Sequence, residues 1–568
     1  MKFTERARTV WTLAGFAVAF VALTVNSYVR ESATWDEPQH LTTGYVMWTR
    51  GDYRIDPEHP PLLRMWAALP LLLTRDIKLD TRPIDASDQN DWVGSGQFFF
   101  CHDFLYRQND ADRLLDRARF MIVLLGILLG VLIFCWARDM FGYWPAALAL
   151  ALYTLEPNLL AHSRLVTTDL GLTCFTVGTL YFLWRTTRQC TAFNLTGLTL
   201  FFALANVSKF SAILLWPVVA VLLAGWGFRS RRWGTALGAA GFLFVTSWLA
   251  VWAVYGFRYA PSANPQWLYR FDADPSLQAR LPALTSLAGW VDRHRLLPNA
   301  CTQGFLLGQA KAQARSCFLA GHYSTAGWWY YFPAALLLKT PVTLLLLALA
   351  GLVLCATRPQ LSGEHAVYLV FPATFYLIMA MTARLNIGVR HILVLYPLAI
   401  LLAAKAGREF PRNWSAILWV PLAGLSLFEF DRATPHYLAF FNQCIGGPRH
   451  GYKYLADSNL DWGQDLKGLK RWMDANHVEH INLAYFGTAD PAYYHIQCTY
   501  LPGGPFFAEN LVRAPQLPGY VAVSTTTLTG VYLNELGRAF YRPLLDREPV
   551  ARIGYSIHVY WVDRPWWR

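Results

Sequence analysis

Carboxylate and histidine side chains gather in one early stretch of the sequence and could perform acid–base chemistry. The stretch opens on Asp36 and Glu37 and continues through Asp56, Glu58 and His59. A carboxylate within hydrogen-bond reach of a hydroxyl group can remove its proton as that group attacks a substrate. Carboxylates beside a membrane surface are costly unless they are solvated, paired or functional. The stretch therefore indicates either a reaction site or a solvated loop, and the spacing alone leaves both open.

Polar residues that could complement these carboxylates interrupt later apolar runs. Ser208–Lys209 separates two such runs, Thr382–His391 separates another two, and Asp169 begins a run after two threonines. Cations that face carboxylates suit a phosphate leaving group, because they bind it and stabilise its developing charge. The alternative is that the cations reach out to lipid headgroups. The cationic candidates are Lys209, Arg384, Arg390 and His391.

The composition indicates that membrane-spanning helices must position these residues. Hydrophobic residues make up 54% of the 568-residue chain and charged residues 15%, whereas soluble domains carry about 25% charged residues. Many apolar runs approach the roughly 20 residues that a helix needs to cross a bilayer. The net charge of +12 comes with no basic stripe or stacking motif for nucleic acid. We therefore expect an integral membrane protein whose positive charge lies in its cytoplasmic loops.

Eleven apolar segments are predicted to span the membrane. With the N-terminus in the cytoplasm, the inner segments hold basic residues such as Arg138, Arg185 and Arg229, as the positive-inside rule requires. An odd number of spans then places the C-terminus outside. The predicted spans are roughly residues 9–29, 119–137, 144–160, 169–185, 192–208, 210–227, 234–255, 331–355, 366–382, 391–404 and 414–429.

Three long regions fall outside the membrane in this arrangement, at about residues 30–118, 256–330 and 430–568. In the first, the apolar stretch 62–73 is too short to span a bilayer and suits an interfacial helix. In the last, an amphipathic helix is predicted at 464–477, with strands at 481–486, 520–524 and 556–562. We therefore divide the chain into a transmembrane catalytic domain, residues 1–430, and an external α/β domain, residues 431–568. Cys301 and Cys317 share one external loop, and either a disulfide or two free thiols fits them.

The pattern resembles the GT-C superfamily of membrane glycosyltransferases over about residues 1–430. The similarity is to its family 39 type, the branch of the dolichyl-phosphate-mannose protein mannosyltransferases and the aminoarabinose lipid A transferases. The matching features are the Asp36–Glu37 pair, the turn at residues 58–62, Asp169, Lys209 and the 384–391 loop. The resemblance implies an all-α membrane bundle of about eleven helices and a bacterial inner-membrane protein with a periplasmic C-terminal domain.

In enzymes of this kind a sugar arrives on a polyprenyl phosphate, here of the undecaprenyl type, and is transferred with inversion. The resemblance implies that Asp36 acts as the base with support from Glu37, and that Asp169 positions hydroxyl groups of the sugar or acceptor. His59 stands where the aminoarabinose branch has a lysine, so we commit to no cofactor and keep Glu58 and His59 as candidate ligands for a divalent metal. The donor phosphate would be bound by Lys209, Arg384, Arg390, His391 and His59.

A second polar stretch, residues 457–465, resembles a segment of bacterial family 39 relatives but carries no assigned role. Asp461 could cap the helix that follows or could bind acceptor or sugar, a role that Glu58 of the first loop could also take. Trp462 could pack in the interior or stack on a sugar ring.

The sequence thus predicts an inverting glycosyltransferase that moves a sugar from a polyprenyl phosphate to the hydroxyl group of a protein, lipid or glycan. The main rival is a polytopic transporter or lipid flippase, which would show ionisable residues near the bilayer midplane and two matching halves. No halves match, and Lys339, within the eighth span, is the feature that favours transport. A non-catalytic anchor that presents the tail would leave the acidic stretch unexplained.

Overall fold

The computed structural model describes residues 2–86, 94–313, 315–357, 359–409 and 415–567. Over these residues, each of the eleven predicted apolar segments is helical. The third segment is broken in two, because Glu156 and Pro157 end one helix and begin the next. The helices that correspond to the segments are Lys2–Tyr28, Ala111–Phe141, Tyr143–Thr154 with Pro157–His162, Asp169–Arg188, Ala192–Asn206, Leu215–Ser230, Trp233–Val254, Tyr331–Lys339 with Val342–Thr357, Pro359–Met381, Leu395–Glu409 and Ser415–Ala433.

Four of the described helices are long and apolar enough to cross a membrane by themselves: Glu5–Tyr28, Ala111–Phe141, Phe210–Ser230 and Trp233–Val254. A fifth results if Tyr331–Lys339 and Val342–Thr357, which meet at a bend of 117°, are counted as one broken span. The chain is therefore a multi-pass membrane protein, whereas the number eleven stays a prediction.

The helix Ala111–Phe141 shows how local sequence sets the limits of a span. The carboxylate of Asp110 accepts a hydrogen bond from the backbone N–H of Arg113, which satisfies one of the free donors at the start of the helix. At its end, Gly142 takes a positive φ of 95° that a residue with a side chain rarely adopts. Arg119, in the third turn of the helix, is thereby placed near its start.

The first long loop contains two helices that pack closely together, followed by the shorter helices Arg82–Ala86 and Gly96–His102. Glu37–Arg50 begins with Pro38 in its first turn, and the predicted interfacial segment forms the helix Leu62–Ala68, extended by a 3₁₀ turn to Leu73. Gly44 lets these helices touch, because a Cβ atom on it would lie 2.1 Å from the carbonyl oxygen of Arg64. The contact fixes the acidic residues at both ends of the loop relative to each other.

The second long loop carries the shorter helices Pro275–Arg280, Pro282–Arg293 and Asn299–Lys311. A two-stranded antiparallel ribbon, Cys317–Leu319 with His322–Ser324, follows them. Cys301 and Cys317 are both free.

The C-terminal region contains a mixed five-stranded sheet and two longer helices, Leu466–Ala475 and Glu535–Leu545. The three predicted strands are present. Sequence analysis missed the two edge strands, because runs of three or four residues are too short to show an alternating pattern. The order across the sheet is Gln497–Tyr500, His480–Ala484, Gly519–Ser524, Ile557–Val562 and Ala551–Ile553.

The C-terminal region and the bundle share one hydrophobic core. Leu460, Trp462 and Leu466 are buried in the same cluster as Phe20 and Leu129 of the membrane helices. The tail is therefore docked against the helices, and the boundary at residue 430 stays a prediction.

Gly44→Ala should destabilise the protein, since overpacking a tight contact costs about 1–3 kcal/mol. We expect a lower midpoint of thermal unfolding in detergent. Gly15→Ala is the matched control, because Gly15 lies in a helix and no atom lies within 4 Å of an added Cβ. Equal midpoints for the two variants would contradict the described packing.

Candidate functional site

Four charged side chains that lie far apart in the sequence meet in one cavity of about 440 Å³. Arg390 Nη1 donates to Asp36 Oδ2 at 2.8 Å and lies 3.8 Å from Asp169 Oδ2. Lys209 Nζ donates to Asp169 Oδ1 at 2.5 Å. The charges therefore alternate along a chain from Asp36 through Arg390 and Asp169 to Lys209. This convergence, which the sequence analysis predicted, places a carboxylate and two cations around one open space.

Each member of this network lies at an end or a break of a helix. Asp36 directly precedes the helix Glu37–Arg50, and Asp169 begins the helix Asp169–Arg188, where the helix dipole favours a negative charge. Lys209 lies in the break after the helix Ala192–Asn206. Polar interruptions of apolar runs identified Asp169, Lys209 and Arg390 in the sequence, and the acidic stretch identified Asp36.

The four residues differ in their access to the cavity. The side chain of Asp36 is 24% exposed, whereas that of Asp169 is 2% exposed and those of Arg390 and Lys209 are 11% and 12% exposed. Several buried polar atoms at the cavity have no hydrogen-bond partner among the described residues, including Arg390 Nε and Asp169 Oδ2. Buried polar atoms are usually hydrogen-bonded. A polar ligand in the cavity would therefore supply hydrogen-bond partners for these atoms.

Glu37 does not line the cavity, although it adjoins Asp36. Its side chain is fully buried and forms a bidentate ion pair with Arg119, with Nε at 2.9 Å and Nη2 at 2.6 Å. The backbone N–H groups of Thr34 and Val166 donate to the same carboxylate. With both oxygens occupied, Glu37 anchors the start of its helix and thereby holds Asp36.

Two histidines line the cavity beside the acidic loop. The rings of His40 and His59 lie 5.3 Å apart. Burial lowers the pKa of His40 to about 4 and lowers the pKa of His59 well below its usual value. Both imidazoles are therefore neutral at pH 7, so His59 can offer a phosphate a hydrogen bond but no charge. His391, the other predicted histidine, also lines the cavity.

Asp56 lies behind these histidines and is buried. Arg64 Nη1 donates to its Oδ2 at 3.1 Å, and His40 Nδ1 lies 3.6 Å from the same oxygen. Burial raises the pKa of Asp56 to about 7, although the Arg64 guanidinium opposes this shift.

Glu58 lines the cavity but pairs with Lys311, whose Nζ lies 2.5 Å from Oε1. Neither Lys311 nor the nearby Arg315 could be found from the sequence, because the second long loop has no pattern that marks them. Within the described ranges, no group of three or more His, Cys, Asp or Glu side chains could hold a metal ion. Glu58 and His59 therefore do not fit the suggested metal site, since the Glu58 carboxylate is paired with the cation of Lys311.

Arg384 lies outside the cavity, unlike Arg390 of the same loop. It is exposed and does not line the cavity, although the adjacent Ala383 and Leu385 do. The reason is the path of the backbone, which Asn386 fixes by accepting a hydrogen bond from Trp328 N at 2.7 Å. The predicted role of Arg384 in binding phosphate is therefore not supported by its position.

The polar stretch of the tail reaches the cavity through Trp462. Its ring centroid lies 4.1 Å from Cζ of Arg390, and the side chain is buried. Asp461 does not line the cavity and does not cap the following helix, which begins after Asp465. Its carboxylate instead accepts hydrogen bonds from the backbone N–H groups of Thr526 and Gly463. Asp461 therefore joins two parts of the C-terminal region to each other.

Lys339, the residue that favoured a transporter, joins a membrane helix to the tail. Its side chain is 1% exposed, its Nζ donates to the carbonyl oxygen of Leu438 at 2.8 Å, and it lies 4.6 Å from the ring centroid of Phe441. It lines neither of the two cavities described here. Its contacts bind the tail to the bundle and do not lie on a path for a substrate.

A second, wider cavity of about 1340 Å³ opens next to the first. Helices of the second long loop and loops of the C-terminal sheet enclose it. Its wall includes the stacked rings of Trp35 and Phe486, whose centroids are 4.8 Å apart, and of Tyr532 beyond them at 5.6 Å from Phe486. The residues that line both cavities, and so lie where the two cavities adjoin, are Trp35, Phe98, Lys311, Arg315 and Phe486.

Arg119→Met should destabilise the protein strongly, because removing one partner of a buried pair leaves the charge of Glu37 uncompensated, at a cost of about 3–5 kcal/mol. We expect a marked loss of folded protein, measured as the monodisperse fraction in size-exclusion chromatography and as the unfolding midpoint. Arg82→Met is the control, because the Arg82–Asp80 pair is exposed and exposed pairs contribute little. Similar midpoints for both variants would show that Glu37 is not held as described.

Comparison with known proteins supports the assignment of the fold. Residues 113–252, about a quarter of the chain, match the family model described as dolichyl-phosphate-mannose-protein mannosyltransferase. No curated protein matches the sequence closely. The crystal structure of ArnT from Cupriavidus metallidurans bound to undecaprenyl phosphate superposes with a TM-score of 0.50 at 13% identity, covering 97% of each chain.

Two further matches are structures of the Archaeoglobus fulgidus oligosaccharyltransferase. The complex with zinc and sulfate covers 93% of this chain and 69% of the other, with a TM-score of 0.43 at 13% identity. The complex of the same enzyme, AglB, with an inhibitory peptide and a dolichol-phosphate covers 94% and 72%, with a TM-score of 0.42 at 11% identity. Residues 113–252 are therefore similar to a mannosyltransferase family, and the chain as a whole has the fold of ArnT.

Proposed function

We propose that this protein transfers a sugar from a polyprenyl-phosphate donor to a hydroxyl group of an acceptor, with inversion, on the external face of the membrane. The observation that carries the proposal is the position of Asp36 beside Arg390 in the smaller cavity, here called the inner cavity, which adjoins the larger, outer cavity. A base, cations for a leaving phosphate and room for two substrates are the parts that such a reaction needs.

The inner cavity suits a lipid-linked donor because its lining combines cationic and apolar side chains. Lys209, Arg390 and His391 can bind a phosphate group. Apolar side chains from several membrane helices also line the cavity, and a polyprenyl chain could contact them. These residues include Leu172, Phe210, Leu214, Tyr376, Met379 and Ala380. The undecaprenyl phosphate bound to ArnT, which has the same fold, supports this choice of donor.

The outer cavity suits the acceptor. It is about three times as large as the inner one and has both aromatic and charged lining residues. It adjoins the inner cavity at Trp35, the residue before Asp36. An acceptor hydroxyl that approaches from this side would meet Asp36 before it meets the more deeply buried Asp169.

The proposed reaction is a single displacement. The acceptor oxygen forms a bond to the anomeric carbon of the sugar, while the bond from that carbon to the phosphate oxygen breaks and its electron pair stays on the phosphate. The hydroxyl proton passes to Asp36. Lys209 and Arg390 stabilise the charge that develops on the leaving phosphate. Attack opposite the leaving group inverts the configuration at the anomeric carbon.

Asp169 takes a positioning role in this scheme. Its two oxygens face Lys209 and Arg390, at 2.5 Å and 3.8 Å, so it holds both cations near the leaving group. A carboxylate so tightly engaged is a poorer proton acceptor than Asp36.

The external location follows from the distribution of basic residues. Lys209 and Arg231 flank the two ends of the segment Phe210–Ser230. A cluster of Arg229, Arg231 and Arg232 lies at the end remote from Lys209, and the positive-inside rule assigns that end to the cytoplasm. The reaction site, at the Lys209 end, is then external.

Asp36→Asn should reduce sugar transfer by about 100-fold or more, the usual contribution of a general base, while the protein stays folded in the membrane. The measurement is release of free polyprenyl phosphate when purified protein is incubated with a panel of polyprenyl-phosphate sugars and acceptors. Asp80→Asn is the control, because Asp80 lies in the same loop and pairs with Arg82 on the surface. Full activity of Asp36→Asn would refute the assignment of the base.

A further inference from the structure

The polar stretch of the tail, residues 457–464, contacts both loops that carry the reacting charges, and we name it the clamp segment. All eight of its residues are buried. It lies between the loop at residues 32–36, which ends on Asp36, and the loop at residues 387–390, which ends on Arg390. Its role is not explained by a cap on the following helix, which has its own start at Asp465.

The clamp segment binds the Asp36 loop through the backbone. Trp35 N donates to the carbonyl oxygen of Trp462 at 2.8 Å, and Ser32 N donates to that of Gln464 at the same distance. Ser32 Oγ donates to the carbonyl oxygen of Gly463 at 3.0 Å. These three bonds fix the residues directly before Asp36 against the tail.

The clamp segment binds the Arg390 loop through side chains. Val389 N donates to Asn459 Oδ1 at 3.1 Å, and Ser458 Oγ donates to the carbonyl oxygen of Ile387 at 3.0 Å. The backbone at Gly388, between these two contacts, is extended with a φ of 175°, a conformation that any residue can adopt. A glycine is therefore needed here because the clamp segment lies very close to the backbone. A Cβ atom on it would lie 2.4 Å from Ser458 Oγ.

The clamp segment is itself held in one conformation. Asp457 has a positive φ of 58°, which is uncommon for a residue with a side chain. Tyr532 donates a hydrogen bond to its carboxylate. The side chain of Gln464 accepts from Trp462 N and donates to the carbonyl oxygen of Leu460. A segment so constrained can serve as a rigid reference for the loops on either side.

We propose that the clamp segment positions the Asp36–Arg390 pair for the reaction, with Trp462 and Asn459 as its two positioning residues. The ring of Trp462 stacks on the guanidinium of Arg390. Asn459 fixes the backbone at Val389, one residue before Arg390. The inference rests on the proposed function, since it assigns a purpose to the alignment of these two charges. It makes the C-terminal region part of the reaction site and not an appendage to it.

The first test compares turnover per folded protein for Trp462→Leu and Trp462→Phe. We expect Trp462→Leu to lower kcat about 10-fold or more while KM for the donor changes less than 2-fold, and Trp462→Phe, which retains an aromatic face, to recover most of the rate. Trp472→Leu is the control, because Trp472 packs on Tyr520 away from the cavity. An unchanged kcat for Trp462→Leu, or an equal loss in the control, would overturn the proposal.

The second test asks whether Trp462 acts through Arg390. In an Arg390→Lys background, the planar group that stacks on the ring is absent, so Trp462→Leu should lower kcat by less than 3-fold. Residues that act through one another are not additive in such a cycle. The same loss in both backgrounds would indicate a general loss of packing and contradict the proposal.

The third test does not depend on activity. Hydrogen–deuterium exchange of the full-length protein should be faster in Asn459→Ala than in the wild type for the backbone at residues 387–391, and Trp472→Leu should leave it unchanged. Unchanged exchange would refute the clamp even if transfer is observed. A different outcome would separate the two proposals. If exchange is faster in Asn459→Ala as expected, but Asp36→Asn retains full transfer activity, the proposed function is refuted and the structural role of the clamp segment is not.

Discussion

Charges that are partly withdrawn from water must be paired, and this requirement governs the centre of the molecule. Removing one partner from a buried pair costs several kcal/mol, since the other charge is left without compensation. Asp36, Arg390, Asp169 and Lys209 satisfy the requirement by alternating in sign, with distances of 2.5 to 3.8 Å. Two positive and two negative charges balance each other, so each charge of this network has a partner of opposite sign. A donor phosphate would enter by sharing the cations with the carboxylates.

The surrounding structure keeps these four charges within reach of one another. Behind Asp36, the bidentate pair of Glu37 and Arg119 anchors the start of its helix. Beside Arg390, the ring of Trp462 supports the guanidinium group. The first contact joins a loop to a membrane helix, and the second joins a loop to the tail. The site thus depends on four parts of the chain: the first long loop, a membrane helix, the loop of Arg390 and the tail.

Local patterns in the sequence predicted much of this arrangement. Apolar runs predicted the helices, the acidic stretch after the first run identified Asp36, and polar interruptions of later runs identified Asp169, Lys209 and Arg390. Arg384 was included for the same reason, but the direction of a side chain in a short loop depends on contacts such as that of Asn386 with Trp328. The inward orientation of Glu37 and the role of Trp462 depend on partners that are remote in sequence, so no local pattern could reveal them. Lys311 and Arg315 were missed because nothing near them distinguishes a residue that lines a cavity from one on a surface.

The central claim is that Lys209 and Arg390 bind the donor phosphate while Asp36 faces it, and direct binding of polyprenyl phosphate tests this claim without requiring the acceptor. Titration of the purified protein, followed by native mass spectrometry, gives Kd for the wild type and for Lys209→Met, Arg390→Met and Asp36→Asn. The account predicts that both cation variants raise Kd about 10-fold or more, a loss of about 1.4 kcal/mol. It predicts that Asp36→Asn leaves Kd unchanged or lowers it, because Arg390 is released from its carboxylate. Wild-type affinity in both cation variants would contradict it.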